Sequence, residues 1–196
     1  MELLPLDGRE HIQLAAQWLQ RQENYQWLDF GNGVQGITPT LLKVMLQRGS
    51  HFIRLYTAEV GEQPIGIVGL NNVDRLFKTG TLWGVAGNKD FRHRGLAQLA
   101  ASRLLTLGFD ELGLQSVNTW TVDSNVSARS VSRLGFRYVG RQRQCHVIDG
   151  RVHDRLLFDL LATEHRELNR VAHERQGRDS LTFQTLDSSY LQREGW

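Results

Sequence analysis

The stretch from residue 88 to 112, NKDFRHRGLAQLAASRLLTLGFDEL, sets a basic turn directly before a long Ala- and Leu-rich helical pattern. The turn consists of Arg92, His93, Arg94 and Gly95. A helix N-terminus offers unpaired backbone N–H groups and the positive end of a dipole, so added cations there are unfavourable unless an anion binds. Gly95 would let such a ligand approach the backbone, and arginines make strong phosphate contacts. The turn therefore predicts a cradle for a pyrophosphate, with a solvent-exposed basic turn as the alternative.

The overall charge limits which partners can be expected. The 196 residues include 23 Lys and Arg against 21 Asp and Glu, which gives a net charge of +2. A protein that binds nucleic acid through phosphates needs a broader basic face than the local patches RHRG and GRQRQ supply. No nucleic-acid partner is therefore expected.

The remaining composition is typical of a cytoplasmic protein. Cys145 is the single cysteine, so no intramolecular disulfide can form and a reducing compartment fits best. The N-terminal residues lack the basic and apolar regions of a signal peptide. No window approaches the length of apolar sequence that a membrane span requires, so no membrane partner is expected.

Hydrophobic patterning over residues 1–163 predicts a single mixed α/β domain. Helical spacing covers residues 9–22, 40–48, 96–112 and 124–134, and the strand-like runs are HFIRLYTAEV, IGIVGLNNV, GTLWGVA, SVNTWTV, RYVGRQRQCHV and VHDRLLFDL. Asp149 and Gly150 supply a two-residue turn between the last two strands. Alternation puts His146 on the face opposite to Cys145, which we expect to be a buried strand thiol.

Three motifs, in order along the chain, resemble segments of the GNAT superfamily of N-acetyltransferases. The first is Arg92-x-x-Gly95-x-Ala97, which is similar to the acyl-CoA signature that follows a strand and opens a long helix. In the second, NVSARSVSRLGFRYVG, a helix ends in Leu-Gly-Phe before a strand. The third, DGRVHDRLLFDLLATEH, looks like the last hairpin of the ribosomal-protein N-terminal acetyltransferase branch. The resemblance implies a mixed, mostly antiparallel sheet with a V-shaped split, flanked by helices.

The resemblance also implies acetyl-CoA as co-substrate, with no metal. The thioester carbonyl would meet a backbone N–H at the end of the strand before the turn, where one good donor typically contributes ~2.7–4 kcal/mol. There Gly87 stands where the family often has an apolar residue, and Ser124 stands where it usually has asparagine. The cofactor-binding residues implied in this way are Ala86, Gly87, Asn88, Arg92, His93, Arg94, Gly95, Leu96, Ala97, Ser124 and Asn125.

The catalytic residues follow from the same alignment, anchored on the Leu-Gly-Phe segment. The tyrosine that often protonates the leaving thiolate is replaced by Val131, but the serine of the branch falls on Ser127 and its glutamate on His146. A neutral imidazole can accept a proton near neutral pH. The alternatives are an ordinary first-turn serine and a strand histidine bonded to a neighbour. Secondary candidates are His153, Asp154, His51 and Glu59.

The expected acceptor is a primary amine, either a protein N-terminus or an amino group on a small metabolite such as an amino sugar nucleotide. The first two helices and their loop should contact it, with aromatic residues that could equally be core: Trp18, Trp27 and Phe30, beside the glycine-rich residues 31–36. The alternative function is a protein that keeps the cofactor fold but serves as a binding or assembly module without catalysis.

Residues 164–196 form a predicted C-terminal extension. Its first half could be a charged helix with Leu168 and Val171 on one side. Its second half is polar, with Phe183, Tyr190 and Trp196 scattered through it. The extension is either a surface appendage or an arm that docks on a second copy to make a homodimer.

Overall fold

A computed structural model describes residues 1–29, 36–91 and 94–169 of the chain. These residues form one seven-stranded sheet with the spatial order β1-β2-β3-β4-β5-β7-β6. The strands are β1 (Leu3–Pro5), β2 (Phe52–Thr57), β3 (Pro64–Asp74), β4 (Thr79–Ala86), β5 (Ser116–Val122), β6 (Arg137–Ile148) and β7 (Arg151–Leu161). Every neighbouring pair is antiparallel except β4 and β5. The mixed, mostly antiparallel sheet confirms the predicted fold class.

Five helices flank the sheet within the described part of the chain. They are α1 (Arg9–Leu19), α2 (Gln22–Tyr25), α3 (Pro39–Gln47), α4 (Leu96–Asp110) and α5 (Ala128–Arg133), and residues 162–169 are also helical. The helix α3 begins where Thr38 accepts a hydrogen bond from the Leu41 N–H and Pro39 occupies the first turn. None of the helices described is long and apolar enough to cross a bilayer.

Two hydrophobic cores pack on opposite faces of the sheet. On one face, α4 and the segment around α5 cover the sheet through residues such as Leu70, Leu104 and Phe136. On the other face, α1 and α3 pack through Trp18 and Leu42 against the first four strands. Helices therefore pack on both faces of β3 and β4, and this packing fixes the position of the end of β4.

The sheet splits between β4 and β5. These strands pair only over three residues each, from Thr79 opposite Ser116 to Thr81 opposite Asn118. One step further, the Thr119 hydroxyl donates to the Leu82 carbonyl at 2.9 Å, and the two strands then separate. The predicted V-shaped split is therefore present, and a side-chain hydrogen bond lies at its apex.

Some element boundaries differ from those predicted. The strand β1 was not expected, and it pairs with β2 although it is only three residues long and ends in a proline. The first helix ends at Leu19 and a separate short helix follows. The helix predicted over 124–134 covers only α5, because the Asn125 side chain accepts from the Ser127 N–H and holds the preceding residues in a turn.

The turn between β6 and β7 is as predicted, but the interior of β6 is not. Asp149 and Gly150 both have positive φ, as a two-residue hairpin turn of this kind requires. The register of β6 shifts between Gln142 and His146, and Gln144 has a φ of 53°. Cys145 lies in this bulge and is half-buried, so its expected burial was wrong.

The helical residues 162–169 pack on α4. His165 is 3% exposed, its Nε2 lies 2.8 Å from the Thr106 hydroxyl, and its ring contacts Phe109 at 5.3 Å. Arg166 donates to Asp110 at 3.0 Å. The division of the chain at residue 163 stays a prediction, and Val171 and the three aromatic residues of the proposed arm lie outside the described residues.

Candidate active site at the split of the sheet

The end of β4 presents unpaired backbone groups to the split. The N–H and C=O of a strand residue point to the same neighbouring strand, and the direction alternates along the chain. Because the Leu82 carbonyl accepts from Thr119 of β5, the backbone groups of Gly84 and Ala86 also point toward β5. The pairing with β5 ends at Thr81, so within the described residues these groups have no strand partner. A ligand lying in the split could therefore bond to β4 as another strand would.

The residues after β4 are held by contacts from α1 and from β3. The Asn88 N–H donates to the Ile65 carbonyl at 2.8 Å, and Nη1 of Arg21 donates to the Gly87 carbonyl at 3.3 Å. A Cβ on Gly87 would overlap the ring of Trp18. Glycine is therefore required here because an indole packs directly on the backbone, a reason that the motif alone does not give.

The helix α4 begins close after this strand end, and its N-terminus has no side-chain cap. Gly95 is the N-cap residue with φ 73° and ψ 0°, a left-handed conformation that favours glycine. Among the described residues a Cβ there would meet nothing within 4 Å beyond its chain neighbours, so the requirement for glycine comes from the backbone conformation. The Arg94 guanidinium lies 5.0 Å from the centre of the Phe91 ring. Arg92 and His93 lie outside the described residues.

Ser124, Asn125 and Ser127 follow the end of β5, on the opposite side of the split from β4. Asn125 accepts from the Ser127 N–H at 2.8 Å. Ser127 is half-buried and is the N-cap residue of α5, but its hydroxyl does not cap the helix. The hydroxyl is therefore available for a bond to another group. Val131, which stands where the family often has a tyrosine, is 8% exposed in the core.

Both ring nitrogens of His146 are engaged. Nε2 lies 2.6 Å from the Gln26 carbonyl, which can only accept, so Nε2 carries the hydrogen. Nδ1 accepts from Arg155, at 3.0 Å from Nη2 and 3.3 Å from Nε. Burial, followed by the nearby Arg155 charge, lowers the pKa of His146 against the opposing effect of the Gln26 bond. In this arrangement the imidazole has no free lone pair to accept a proton.

The Arg155 guanidinium is itself held in place. It stacks on Trp120 with its central carbon 3.7 Å from the ring centre. Asp29, which follows α2, lies 3.7 Å from its Nη1. Sequence reasoning did not select Arg155, Trp120 or Asp29, because their proximity depends on the pairing of β5 with β7 and on the position of the segment after α2.

His153 has a different environment from His146. Its Nδ1 lies 3.4 Å from Oδ1 of Asp123 and 3.5 Å from the Ser124 hydroxyl. Nε2 of His153 makes no hydrogen bond to any described residue. Asp123 was not selected from the sequence, although its place directly after a strand that faces the split is a usable signal. Asp154, the other candidate on β7, accepts from the Gln144 N–H and from Arg141, and the first of these bonds lowers its pKa most.

The segment around α2 bridges the two sides of the split. Gln22 donates to Asp149 at 3.0 Å, which ties α2 to the turn between β6 and β7. On the β4 side, the same segment supplies Arg21 to Gly87, and Glu23 pairs with Lys89. The segment therefore covers one opening of the split, with Trp27 half-buried in it. Phe30 and residues 31–35 lie outside the described residues.

The structure thus brings most predicted site residues to one cleft. Ala86, Gly87, Asn88 and the start of α4 lie on one side of it, and Ser124, Asn125, Ser127 and His153 lie on the other. His51 bonds to Asn71 beside the first residues of β2, and Glu59 lies in the turn between β2 and β3, so neither faces the cleft. Within the described ranges no cluster of three metal-ligating side chains occurs.

Comparison with known proteins agrees with this architecture. The profile of the acetyltransferase (GNAT) family matches residues 10–136. A curated relative, "Putative ribosomal N-acetyltransferase YdaF" of Bacillus subtilis, is 30% identical over 100 residues, which are 50% of this chain and 54% of the relative. The match therefore spans about half the length of that relative.

Solved structures share the fold at low sequence identity. Spermidine N-acetyltransferase from Vibrio cholerae, in complex with CoA and spermine, gives a TM-score of 0.73 at 15% identity and covers 84% of this chain and 96% of that one. A probable GNAT-family acetyltransferase from Chromobacterium violaceum gives a TM-score of 0.67 at 23% identity, with 83% of each chain covered.

The split sheet, with an uncapped helix N-terminus beside unpaired strand backbone, defines an α/β protein built around a cleft. The chain belongs to the acetyltransferase (GNAT) family, since the family profile runs from α1 through the end of α5 and so includes both sides of that cleft.

Proposed function

We propose that the chain transfers an acetyl group from acetyl-CoA to a primary amine. The observation that carries this proposal is the cleft, where backbone groups of β4 without a strand partner lie beside the uncapped N-terminus of α4. Unpaired strand groups bind an extended ligand that carries amides, and a helix N-terminus binds an anion. Acetyl-CoA combines both features, because an amide-containing arm connects its pyrophosphate to the thioester.

The donor would occupy both halves of this cleft. Its pyrophosphate would accept from the N–H groups of Leu96 and Ala97, with Arg94 adding charge and with Arg92 and His93 predicted to do the same. Its arm would lie along Gly84 and Ala86, and the hydroxyl of Ser124 or the amide of Asn125 would contact it from the other side. The turn at Gly95 supports this placement, because no described residue beyond its chain neighbours lies within 4 Å of the position that a Cβ would take there.

The geometry favours Ala86 as the donor to the thioester carbonyl. The Asn88 N–H is already bonded to Ile65, whereas the backbone of Ala86 faces the split. Ser127 is the proposed proton donor to the departing thiolate, because the residue is half-buried and its hydroxyl does not cap α5. His146 stays a prediction as the base, and it could act only if Arg155 moved away from Nδ1.

Two observations bear on the amine. Relatives include a spermidine N-acetyltransferase and a protein named for ribosomal N-acetylation, so we propose a polyamine-like amine, another small amine such as an amino sugar nucleotide, or a protein N-terminus. The acceptor would enter beside α2, which covers one opening of the cleft. A homodimer formed through residues 164–196 is a further proposal.

A binding or assembly module is the second candidate function. Ser124 in place of the usual asparagine and Val131 in place of the usual tyrosine favour it, because both replace groups that contact the donor in the family. The cleft would then bind CoA without turnover.

Calorimetry with CoA, followed by an assay of thiol release from acetyl-CoA, tests the proposal. We expect binding by the wild type and release that depends on an added amine, with spermidine, an amino sugar nucleotide and a peptide with a free N-terminus as acceptors. Gly95→Asn should retain CoA binding because asparagine tolerates positive φ, whereas Gly95→Val should lose it. Binding without amine-dependent release would favour the module, and no binding would overturn both.

A further inference from the structure

We propose that His153, oriented by Asp123, is the general base that deprotonates the acceptor amine. The inference rests on the proposed acetyl transfer and assigns a residue to its proton-transfer step. The two histidines on the β6–β7 side of the cleft differ in the bonds that their ring nitrogens make. His146 has both nitrogens bonded, and His153 has one nitrogen beside a carboxylate and the other unbonded within the described residues.

The carboxylate of Asp123 selects the tautomer of His153. Oδ1 lies 3.4 Å from Nδ1, and a carboxylate at this distance favours the neutral tautomer that carries its hydrogen on Nδ1. The lone pair of Nε2 is then available. The same carboxylate stabilises the imidazolium that forms when Nε2 accepts a proton, as the acidic member does in other Asp–His pairs. Ser124, at 3.5 Å from Nδ1, restricts the rotation of the ring further.

The position of His153 fits the reaction. Asp123 directly follows β5, and its N–H donates to the Asp154 carbonyl at 3.0 Å, so the pair lies where β5 leaves the sheet. His153 stands opposite His146 in the β6–β7 ladder, and His146 contacts the α2 segment. His153 therefore lies between the proposed donor contacts of Ser124 and the segment that covers the acceptor opening. Its side chain is 22% exposed, so an incoming amine can reach it.

The proton balance of the step is complete. An alkyl ammonium first gives one proton to Nε2 of His153, which passes it to solvent. The neutral nitrogen then attacks the thioester carbon, forming the C–N bond as the C–S bond breaks. The second proton leaves the nitrogen as the amide forms and is balanced by the proton that the thiolate gains, with Ser127 as the proposed relay. The products are an N-acetylated amine, free thiol and one released proton.

The charged and titratable groups around His153 come from each neighbouring element. Asp123 faces it from the end of β5, His146 from β6, and Arg155 lies two residues along β7. Two of these groups cannot accept the proton of the amine. Arg155 is already a cation, and the Nδ1 lone pair of His146 already accepts a hydrogen bond from Arg155.

The kinetic test compares His153→Gln with His146→Gln. We expect His153→Gln to lose about 10²–10⁴-fold in kcat, the usual contribution of a general base, while CoA affinity stays unchanged. The acidic limb of its rate profile should disappear. Asp123→Asn, a positioning variant, should lower kcat less than His153→Gln does, because a neutral amide favours hydrogen on Nδ1 less strongly than a carboxylate does. His146→Gln is the matched control. Its pH–rate profile should keep the acidic limb, even if the variant is less stable than the wild type.

A second measurement does not depend on an acceptor. Long-range ¹H–¹⁵N spectra of the imidazoles should show opposite tautomers, with hydrogen on Nδ1 of His153 and on Nε2 of His146. In Asp123→Asn the preference of His153 should weaken while that of His146 is unchanged. Hydrogen on Nε2 of His153 in the wild type would overturn the proposal. So would a His153→Gln variant with wild-type turnover and an unchanged acidic limb. Absence of amine-dependent release by the wild type would instead overturn the proposed function, leaving the tautomer measurement to decide the Asp123–His153 geometry.

Discussion

Gly87 allows close packing that fixes the backbone at the end of β4. The ring of Trp18 occupies the space that a Cβ would need, and Arg21 bonds to the Gly87 carbonyl. We expect Gly87→Ala to lower the free energy of unfolding by about 1–3 kcal/mol, because the indole or the strand end must move. Movement of the strand end would also turn the Ala86 N–H and lower kcat.

Urea unfolding and the thiol-release assay measure the two effects of Gly87→Ala. Gly140→Ala is the matched control, since a Cβ there would meet no described residue within 4 Å beyond its chain neighbours. If Gly87→Ala were as stable and as active as Gly140→Ala, Trp18 would not constrain this peptide.

His146 should make the protein less stable in acid. Burial lowers its pKa in the folded state below the usual 6.5, so folding favours the neutral form. Its stabilising effect is therefore fully present above pH 6.5 and falls as the pH drops from 6.5 toward the folded pKa, by up to about 1.4 kcal/mol per pH unit for one proton. Burial also lowers the pKa of His165, so this residue changes the pH dependence of stability in the same direction.

Urea unfolding of the wild type and of His146→Gln across this range isolates the effect of His146. The pH dependence below 6.5 should be smaller in the variant, and what remains should come mainly from His165. Identical pH dependence in both proteins would contradict the burial of a neutral His146.

The sequence predicted site residues that lie on the two sides of the split, but it did not reveal the state of their side chains. The turn before α4 and the serines after β5 could be selected because they are local patterns. The bonds of His146 depend on α2, which is 120 residues away from it, and on a bulge that alternation cannot reveal. Asp123 and Arg155 were missed for the same reason, because their partners come from other strands.

At the scale of elements, the junction of β4 and β5 depends on a few groups. Three paired residues on each strand and the Thr119 hydroxyl hold them together. We expect Thr119→Val to lower the free energy of unfolding by about 1–3 kcal/mol, because the change leaves the buried Leu82 carbonyl without its donor. The widened apex should also weaken CoA binding.

Thr119→Ser keeps the hydroxyl and is the matched control. Chemical unfolding and calorimetry with CoA compare the two variants. Wild-type stability in Thr119→Val would mean that the three paired residues suffice to define the apex.

Prediction of secondary-structure elements from the sequence succeeded where a strand has a buried face along its length and turn-forming residues at its ends. The strand β5 was predicted with its observed bounds, because SVNTWTV is flanked by turn-forming residues. The strand β1 was missed because three residues carry no periodicity and its pairing with β2 is purely tertiary. The helix α5 was predicted too long because the Asx turn of Asn125 competes with helix formation before residue 128.

At the scale of the whole molecule, the C-terminal residues divide into a packed part and a part outside the described residues. Residues 162–169 bury His165 against α4, and a Cβ on Gly135 would overlap Leu168. We expect deletion of residues 170–196 to lower the melting temperature less than deletion of residues 162–196, because only the longer deletion removes the helical residues packed on α4. Deletion of residues 162–196 should lower it sharply, because it exposes Phe109 and Leu160.

Sedimentation equilibrium of the same two deletions tests the proposed dimer. If the wild type is a dimer and the protein without residues 170–196 is a monomer, the extension carries the interface. A dimer in both proteins would place the interface elsewhere.

The bonds from α2 to the β6–β7 hairpin also concern the order in which the molecule forms. His146 and Gln26 are 120 residues apart in sequence, and Asp149 and Gln22 are 127 apart. Contacts of such long sequence separation close the largest loops and form late, and during synthesis the N-terminal segment emerges first. The helix α2 and the residue after it therefore cannot form these contacts until nearly the whole domain has been translated. The opening of the cleft that this segment covers is therefore closed last, after the other contacts around the split can already have formed.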